Sequence, residues 1–443
     1  MSLFGAMNTA ISGLAAQANA FANISDNVAN SQTVGFKRVD TSFIDYLTTS
    51  NATENDSGAV VARPDYVNNV QGTVTQTDNP LGLAIAGQGF FAVSQQIGQV
   101  NDIPVFNPQK YYTRAGDFQL NKNGYMVNSA GQFLNGWPIN PATGIVNQNT
   151  LAPIQVTQTV YNPVETTDVT ISANLPATPA NGTATPGSPI SSDIDVYDAL
   201  GTLHTVTLNW VQNAQDDWTV SLVVPDAPPP APGFVDSAEL QFGPTVSGNA
   251  VPAGTVGQIT NVTGTVVSGG YVAGAAASLS FTTSFGSGPQ TINLNLGTYG
   301  QTNGITQYAG TQYNLRGLTQ NGVPPGAFAS VTTQQNGNII VNYDNGQARQ
   351  IAQVPLITFN APDKLQRQDG QSFTATLDSG TPLAESVSSN GAGNLVTQSV
   401  ESSNVDIATE FSKLIVAQRA YSANTKMVTT ADDLLQQTID MKR

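Results

Sequence analysis

The chain has 443 residues, of which 10% are charged, and a formal net charge of −15 at pH 7. This length permits two or three domains with buried cores, while the acidic balance disfavours nucleic-acid phosphates and anionic lipids as partners. The absence of cysteine excludes disulfides and thiolate metal sites, and no apolar run approaches the roughly 18 residues that membrane insertion requires.

The N-terminal segment is predicted to be a helix with one apolar stripe. Asp26 is the only charged residue before Lys37, so the rest of the helix surface is small or amide-bearing and suits neighbours on several sides. No basic residue precedes the apolar stretch, and a cleaved signal peptide is therefore not expected. The stripe recurs at spacings of three, four or seven and consists of Phe4, Met7, Ile11, Leu14, Phe21 and Val28.

The helix is followed by an asparagine-rich run, "NISDNVANSQTVGFK" at 23–37, here called the chain exit. Asparagine side chains can satisfy the last carbonyls of a helix or adopt left-handed conformations, and glycine permits a sharp change of direction. The run therefore predicts that the chain leaves the helix here for a connecting segment. Its expected contributors are Asn23, Asn27, Asn30, Gly35 and Phe36.

The central chain has β patterns throughout. Asn123-Gly124 and Asn345-Gly346 each follow an alternating apolar run and predict hairpins. Between Lys122 and Arg316 there is no Lys or Arg but ten acidic residues, a composition that indicates a separate domain. Within it, 204–211 and 218–224 alternate with period two and predict paired strands. Apolar residues at 292, 294 and 296 predict a further strand, and the proline-rich stretch 225–233 predicts a stiff loop.

The C-terminal segment again has a helical pattern, with Ser403 and Asn404 as expected N-caps. The two terminal helices could pack on one globular core; their low charge and terminal positions favour pairing as a coiled coil that becomes fully ordered only in an assembly. The fold class is thus mainly β with α-helical termini. The C-terminal stripe consists of Ile407, Phe411, Leu414, Tyr421, Val428, Leu435 and Ile439.

Arg419 lies on this helix of low charge, where burial would be costly without a partner. Asp26 of the opposing helix is the candidate for an ion pair with it.

No catalytic, cofactor or metal site is predicted. His204 stands alone in a strand, and Asp193, Asp195 and Asp198 lack the glycine of a tight calcium loop, which favours a solvated acidic edge. The glycines of "AGQGFF" at 86–91 lack a third glycine and a following helix, so a turn is favoured over a phosphate loop. Lys37 and Arg38 are assigned to capping or to a subunit contact.

Several stretches resemble the flagellar rod and hook family. "SGLAAQANAFANISDNVANSQTVGFK" at 12–37 and residues 404–441 resemble its terminal signatures, and 79–93 and 112–137 resemble internal ones. The insert, through "ANLPA" and "DVYDALGTLHTVTLNW", is similar to the hook members of that family. The resemblance thins between about 225 and 310.

The resemblance implies a non-enzymatic, cofactor-free subunit that assembles with itself into a curved, bendable tube, a universal joint between rod and filament. It also implies partners among rod, hook-cap and hook–filament junction proteins, export by the flagellar type III apparatus without a cleaved signal, and an extracellular location. A distal-rod subunit and a secreted β-rich glycan-acting enzyme are the alternatives.

Together, these observations predict four parts, most of them built from two separate stretches of the chain. They are paired helices at 1–30 and 404–443, connecting segments at 31–71 and 396–403, a β domain at 72–145 and 316–395, and an inserted outer β domain at 146–315.

Overall fold

A computed structural model describes residues 3–50, 55–140, 143–177, 189–225, 233–246, 248–263 and 271–441. The chain divides into two units, and the sequence of the second interrupts that of the first. Unit 1 comprises Met1–Gln158, Ala329–Asn342 and Ala348–Arg443, and unit 2 comprises Thr159–Phe328 and Tyr343–Gln347. Unit 2 thus begins and ends later than the insert placed at 146–315 from composition. Most of the loop predicted at 225–233 lies outside the described residues.

The described residues are mainly β-strand, as the sequence predicted, with one long helix near each end. The helices are α1 (Leu3–Ala29) and α2 (Ile407–Asp440). In chain order the strands are β1 (Val39–Ser50), β2 (Asn55–Tyr66), β3 (Val74–Gln76), β4 (Leu83–Ala86), β5 (Phe91–Val100), β6 (Ile103–Phe106), β7 (Tyr111–Thr113), β8 (Gln119–Leu120), β9 (Met126–Val127), β10 (Gln132–Pro138), β11 (Ala152–Pro153), β12 (Asp168–Pro176), β13 (Ile190–Tyr197), β14 (Leu203–Ala214), β15 (Asp217–Val224), β16 (Gly233–Phe242), β17 (Thr245–Val246), β18 (Asn249–Ala250), β19 (Val256–Thr263), β20 (Ala276–Ser284), β21 (Pro289–Thr298), β22 (Ile305–Tyr308), β23 (Asn314–Gln320), β24 (Phe328–Thr333), β25 (Asn338–Tyr343), β26 (Ala348–Gln353), β27 (Leu356–Thr358), β28 (Gln366–Gln368), β29 (Ser372–Thr374), β30 (Leu383–Glu385), β31 (Asn394–Thr397) and β32 (Ser399–Glu401).

The two terminal helices pair with each other, as predicted, and α1 also contacts β1 and β2. The N-cap of α2 is Asp406, whose side chain accepts a 3.0 Å hydrogen bond from the Thr409 N–H. The sequence placed this cap at Ser403 or Asn404; the chain remains extended for two more residues before the helix begins. No helix in the described ranges is long and apolar enough to cross a membrane.

The segment between α1 and the β part of unit 1 is a long hairpin rather than a plain connection. β1 and β2 pair antiparallel along most of their length. The hairpin lies against α1, where the Val60 N–H donates to the Ser12 Oγ at 3.0 Å. The apolar residues of β1 and β2 and the small residues of α1 explain why this segment folds back onto the helix.

The β part of unit 1 is built on one sheet with the strand order β24-β25-β26-β10-β5-β7-β29-β28. Both predicted Asn-Gly hairpins are present, β8 with β9 and β25 with β26. Two short ladders, β3-β32 and β31-β4, connect the chain entering this part to the chain leaving it, and a third, β27-β30, pairs two strands of the later segment. An aromatic core anchors the unit, with the Phe90 ring 5.7 Å from that of Phe373 and the Phe91 ring 5.6 Å from that of Phe118.

Unit 2 is a β-sandwich. One sheet has the order β20-β21-β12-β22, with β23 also on β12, and the other has the order β13-β14-β15-β16-β19. The predicted hairpin of β14 and β15 is confirmed, as is the predicted strand β21. Along β15 every second side chain is buried, as in the sequence pattern. Trp210 and Trp218 are fully buried in the core that the two sheets share.

Replacing Leu208 by Ala tests this core. Leu208 is completely buried, so Leu208→Ala should lower the free energy of unfolding of unit 2 by about 2–5 kcal/mol. Urea denaturation followed by the fluorescence of the neighbouring tryptophans measures the loss. The matched control is Leu200→Ala, because Leu200 is 71% exposed in the same unit and should change stability by about 0.5 kcal/mol or less. Equal losses for the two variants would contradict this description of the core.

Candidate functional site

The buried face of α1 consists mainly of small side chains, and α1 contacts both α2 and the β1–β2 hairpin. Gly13 lies on this face, where a Cβ atom would stand 2.9 Å from the Asn424 Nδ2 of α2. Glycine and alanine here allow the two backbones to approach closely. The buried residues of the face are Ala10, Ala16, Ala20, Ile24 and Asn27.

The predicted apolar stripe therefore lies on a different face of α1. Ile11 is 48% exposed, and the side chain of Phe4 lies outside the described residues. The chain's own fold covers the stripe only in part, because Phe21 lies against Tyr421 of α2 whereas Ile11 remains exposed. The remaining predicted residues, all half-buried, are Met7, Leu14, Phe21 and Val28.

The helix α2 is 34 residues long and buries Glu410, Ala417 and Ala431. These positions follow a heptad spacing and form one seam. Tyr421 touches α1, its ring 6.2 Å from that of Phe21. Three of the predicted residues flank the seam and are half-buried, namely Leu414, Val428 and Leu435. The other four are exposed, namely Ile407, Phe411, Tyr421 and Ile439.

A groove runs over α1 between α2 and the β1–β2 hairpin. It consists of two adjoining clefts of about 540 and 420 Å³, both lined by Gln17 and Phe43. The alanine-rich face of α1 lines its floor. Val416 and Met427 of α2 line one wall, and both are more than half exposed. The groove is thus an open, largely apolar surface.

At the chain exit, Asn27 connects α1, β1 and α2. Its Nδ2 donates to the Val39 carbonyl at 2.9 Å and to the Glu410 Oε2 at 3.1 Å, and its Oδ1 accepts from the Val39 N–H at 2.9 Å. Lys413 Nζ donates to the Glu410 Oε1 at 2.8 Å and to the Asp40 Oδ1 at 2.6 Å. An amide and three charged groups therefore hold the start of α2 against the end of α1.

The other predicted asparagines of the exit have local roles. Asn23 Nδ2 donates to the Thr41 Oγ1 at 2.9 Å, which adds to the contact between α1 and β1. Asn30 Nδ2 donates to the Asp26 carbonyl at 2.9 Å and so satisfies one of the last carbonyls of the helix. Neither Asn27 nor Asn30 adopts a left-handed conformation.

Gly35 makes the turn at which the exit reaches the β part of unit 1. Its φ is +71°, and a Cβ atom there would stand 2.3 Å from the Ala115 backbone nitrogen. Phe36 follows it, 3% exposed, with the Arg367 guanidinium 4.3 Å from the centre of its ring. Any side chain at position 35 would therefore push the chain exit away from the Ala115 backbone.

The predicted ion pair between Asp26 and Arg419 is not formed in this chain. The Asp26 Oδ2 instead lies 4.0 Å from the Arg367 Nη1. Arg419 is exposed on α2, so it carries no burial cost that a carboxylate would have to offset.

Next to the exit lies a buried charge cluster of Lys37, Glu401 and Arg114. Glu401 accepts from the Lys37 Nζ at 2.5 Å through Oε1 and from the Arg114 Nη1 at 3.1 Å through Oε2. All three side chains are 1% exposed or less. The Val70 carbonyl also accepts from Lys37 Nζ at 2.7 Å, and the Gly72 N–H donates to the Glu401 Oε1 at 2.8 Å.

Two positive charges share one carboxylate in this cluster, so its net charge is positive. Burial lowers the pKa of Lys37 to about 8, the Glu401 carboxylate opposes that shift, and Arg114 adds to it. Burial also lowers the pKa of Arg114. Arg114 gains further stabilisation from the Gly87 carbonyl, which accepts from its Nη2 at 2.8 Å, and from the Phe90 ring, whose centre lies 5.1 Å from its Cζ.

Sequence reasoning did not single out Arg114, Glu401, Glu410 or Lys413, and it treated Lys37 as a capping or subunit-contact residue. One signal was available. Lys37 follows an aromatic residue directly in a chain that is only 10% charged. A charge that directly follows a large apolar residue in such a chain is a candidate for burial with a partner, although the partner itself is too distant in sequence to be named.

The residues outside the helices that were weighed as catalytic, metal-binding or phosphate-binding candidates contribute to local packing and turns. His204 stacks on the Phe285 ring with 4.2 Å between ring centres, and its Nε2 lies 3.6 Å from the Asp198 Oδ2. Asp198 is buried and accepts from two backbone N–H groups of its own turn, whereas Asp193 and Asp195 are exposed. Gly87 and Gly89 form a turn with positive φ before Phe90. Within the described ranges, no three His, Cys, Asp or Glu residues are grouped so that they could hold a metal ion.

Four family models match the chain. They are described as flagella basal body rod protein (residues 7–37), flagellar hook protein FlgE/F/G D1 domain (84–174), flagellar basal body protein FlaE D2 domain (165–323) and flagellar basal body rod FlgEFG protein C-terminal (396–441).

The full-length proteins that are similar to this chain include flagellar hook proteins from several bacteria. The flagellar hook protein FlgE of Brucella abortus is 32% identical over 447 residues, covering 100% of both chains. That of Salmonella typhimurium is 29% identical over 441 residues, covering 98% of this chain and 99% of its own. Among solved structures, the Helicobacter pylori flagellar hook protein FlgE2 is 12% identical with a TM-score of 0.48, and the match covers 74% of this chain and 100% of that one.

Removing the shared carboxylate should destabilise unit 1 severely. Glu401→Gln leaves two buried positive charges without a counter-ion, for which we expect a loss of about 3–5 kcal/mol in the free energy of unfolding. Urea denaturation followed by circular dichroism measures it. Glu385→Gln is the matched control, because Glu385 is half-buried in the same unit and has one hydrogen bond, from Asn390. A loss no larger than that of the control would contradict the role assigned to Glu401.

The lowered pKa of Lys37 predicts a pH dependence. Between about pH 8 and its ordinary pKa of 10.5, Lys37 is deprotonated in the folded chain and still protonated in the unfolded chain. Raising the pH across this window therefore favours the folded state. The stability of the wild type minus that of Lys37→Met should rise through this window and stay level below pH 8. A difference that falls or stays flat above pH 8 would show that Lys37 titrates normally.

Proposed function

This chain belongs to the flagellar hook protein family and is a structural subunit of the bacterial flagellar hook; from that premise, we propose that its copies assemble through the terminal helices into a curved tube. The tube would act as a universal joint that transmits torque from the rod to the filament. The role is mechanical and requires no catalytic residue. The terminal apolar residues, exposed or half-buried in the single chain, would be the polymerisation surface.

The exposed apolar face of α2 is the observation that carries this proposal. Phe411 and Ile415 are one helical turn apart and are 49% and 50% exposed. Val416 and Met427 are exposed on the opposite flank of the seam. Apolar surface is stabilised by about 25 cal/mol for each Å² removed from water, so a helix with two uncovered apolar flanks gains from neighbours on both sides.

The two flanks differ, which favours an open helical array over a closed dimer. Val416 and Met427 line the groove over α1, whereas Phe411 and Ile415 line neither of its clefts. A contact between unlike surfaces is heterologous, and such contacts continue as rings or helices. We therefore propose that the flank of Phe411 and Ile415 on one copy faces the groove side of the next copy.

Force applied to the helices must also reach the β domains. Lys37 is the last residue of the chain exit, Glu401 lies in β32 shortly before α2, and Arg114 directly follows β7 in the β part of unit 1. Their buried cluster supports a stiff connection within unit 1, because neither helix can shift there without separating buried charges.

We propose the same layering that the sequence predicts. The paired helices would form the inner tube, residues 31–71 and 396–403 the connection, and the β domains the outer layers. Sliding between outer layers would then accommodate bending of the tube. The exit residues Asn23, Asn27, Asn30, Gly35 and Phe36 would fix the angle between the helices and the β domains.

Partners in this proposal are copies of the chain, the rod, the hook cap and the hook–filament junction proteins. The chain would reach them through the flagellar type III export apparatus. As a subunit of the flagellar hook, the chain would lie outside the cell.

Polymerisation by the purified full-length chain tests the proposal. The double substitution Phe411→Asn and Ile415→Asn should leave the unfolding temperature of the monomer nearly unchanged, because both side chains are about half exposed. It should raise the lowest concentration at which tubes form by at least about tenfold, since each side chain loses apolar burial. Negative-stain electron microscopy scores the tubes.

The matched control is Leu200→Asn with Leu203→Asn, two exposed leucines of unit 2. This pair should polymerise like the wild type. Tubes that form equally well from the α2 variant would move the polymerisation surface away from this helix.

A further inference from the structure

The hairpin of β5 and β6 ends in a tight two-residue turn. Its strands are joined by Asn101 and Asp102, with φ values of 52° and 61°. Two successive left-handed residues form a tight turn whose twist matches that of the strands. Val100 pairs directly with Ile103 across this turn.

The base of the hairpin is anchored in unit 1. The Phe106 ring lies 5.0 Å from that of Phe133 and 6.0 Å from that of Tyr125. Near the tip, Asn123 Nδ2 donates to the Asp102 carbonyl at 3.2 Å. The hairpin is therefore held in one place while its tip extends beyond the aromatic base.

The tip is apolar and exposed. Ile97, Val100 and Ile103 are 63%, 62% and 63% exposed, and Val105 is 38% exposed. Val105 pairs with Gly98 two positions from the Val100–Ile103 pair, so the three β-branched side chains share one face of the ladder. Tips of hairpins are ordinarily polar, and an exposed apolar hairpin face marks an interaction surface.

We propose that this apolar hairpin tip contacts a neighbouring copy of the chain in the assembled tube. The inference rests on the proposed function, since it requires an assembly. A stable complex of two proteins buries about 800 Å² on each partner, which four partly exposed side chains cannot supply. The tip therefore cannot hold two free monomers together, but it can strengthen a contact that the helices have already formed.

Charge favours a protein over a lipid surface as the occupant. The chain has a net charge of −15 and no Lys or Arg between Arg63 and Lys110. Apolar segments that insert into membrane surfaces ordinarily carry basic residues at their edges. Because each subunit in a tube repeats the same contact, a small tip is sufficient there.

The test uses the full-length chain with Val100→Thr and Ile103→Thr. Threonine keeps the β-branched shape, so the monomer should unfold at the wild-type temperature. Tubes should still form, but the lowest concentration that supports them should rise by about tenfold. The control is Leu377→Thr, which alters a fully exposed apolar residue of the same unit and should have no effect.

A photoreactive amino acid at position 103 identifies the occupant. In tubes, mass spectrometry of the crosslinked peptides should show a segment of a second copy, and dilute monomer should give no such product. An unchanged threshold for the threonine variant, or crosslinks only to added phosphatidylglycerol vesicles, would overturn this inference and leave the proposed function intact. A wild-type chain that forms no tubes would contradict the proposed function and this inference together.

Discussion

The carboxylate of Glu401 holds together three parts of the chain that are far apart in sequence. It accepts hydrogen bonds from Lys37, 364 residues away, and from Arg114, 287 residues away. Its backbone carbonyl accepts from the Gly35 N–H at 2.7 Å. The end of the chain exit, the strand before α2 and the β part of unit 1 therefore meet at one buried point. The direction in which both terminal helices leave the β part of unit 1 depends on that point.

Such a cluster has a cost as well as a benefit. Burying three charges removes their hydration, and a well-packed apolar core is often as stable. What the charges add is geometry, because a carboxylate that must face two cations at once tolerates little displacement. For a hook subunit, whose helices and β domains would have to keep their relative positions under load, that specificity explains the use of charge at this site better than stability does.

The strands and the existence of both helices could be predicted because each depends on a local pattern. Alternation in 204–211 and 218–224 appears directly as β14 and β15, whose inward residues meet in one core. The buried face of α1 could not be predicted in the same way. Its large apolar residues indicate one face, yet the residues that the helix buries include Ala16, Ala20 and Ile24. Without a charged face, two stripes of α1 are nearly equivalent in sequence.

Spacing and composition thus determined the mainly β fold and the terminal helices, and the resemblance of several stretches indicated the family to which the chain belongs. Three features could be seen only in the folded chain. Glu401 pairs with Lys37 and Arg114. Asp26 lies beside Arg367 and not beside the predicted Arg419, and the hairpin tip at Val100 and Ile103 is apolar and exposed. The physical reason is range. Alternation and helical periodicity are properties of neighbouring residues, whereas burial and ion pairing depend on which distant segments the fold brings together.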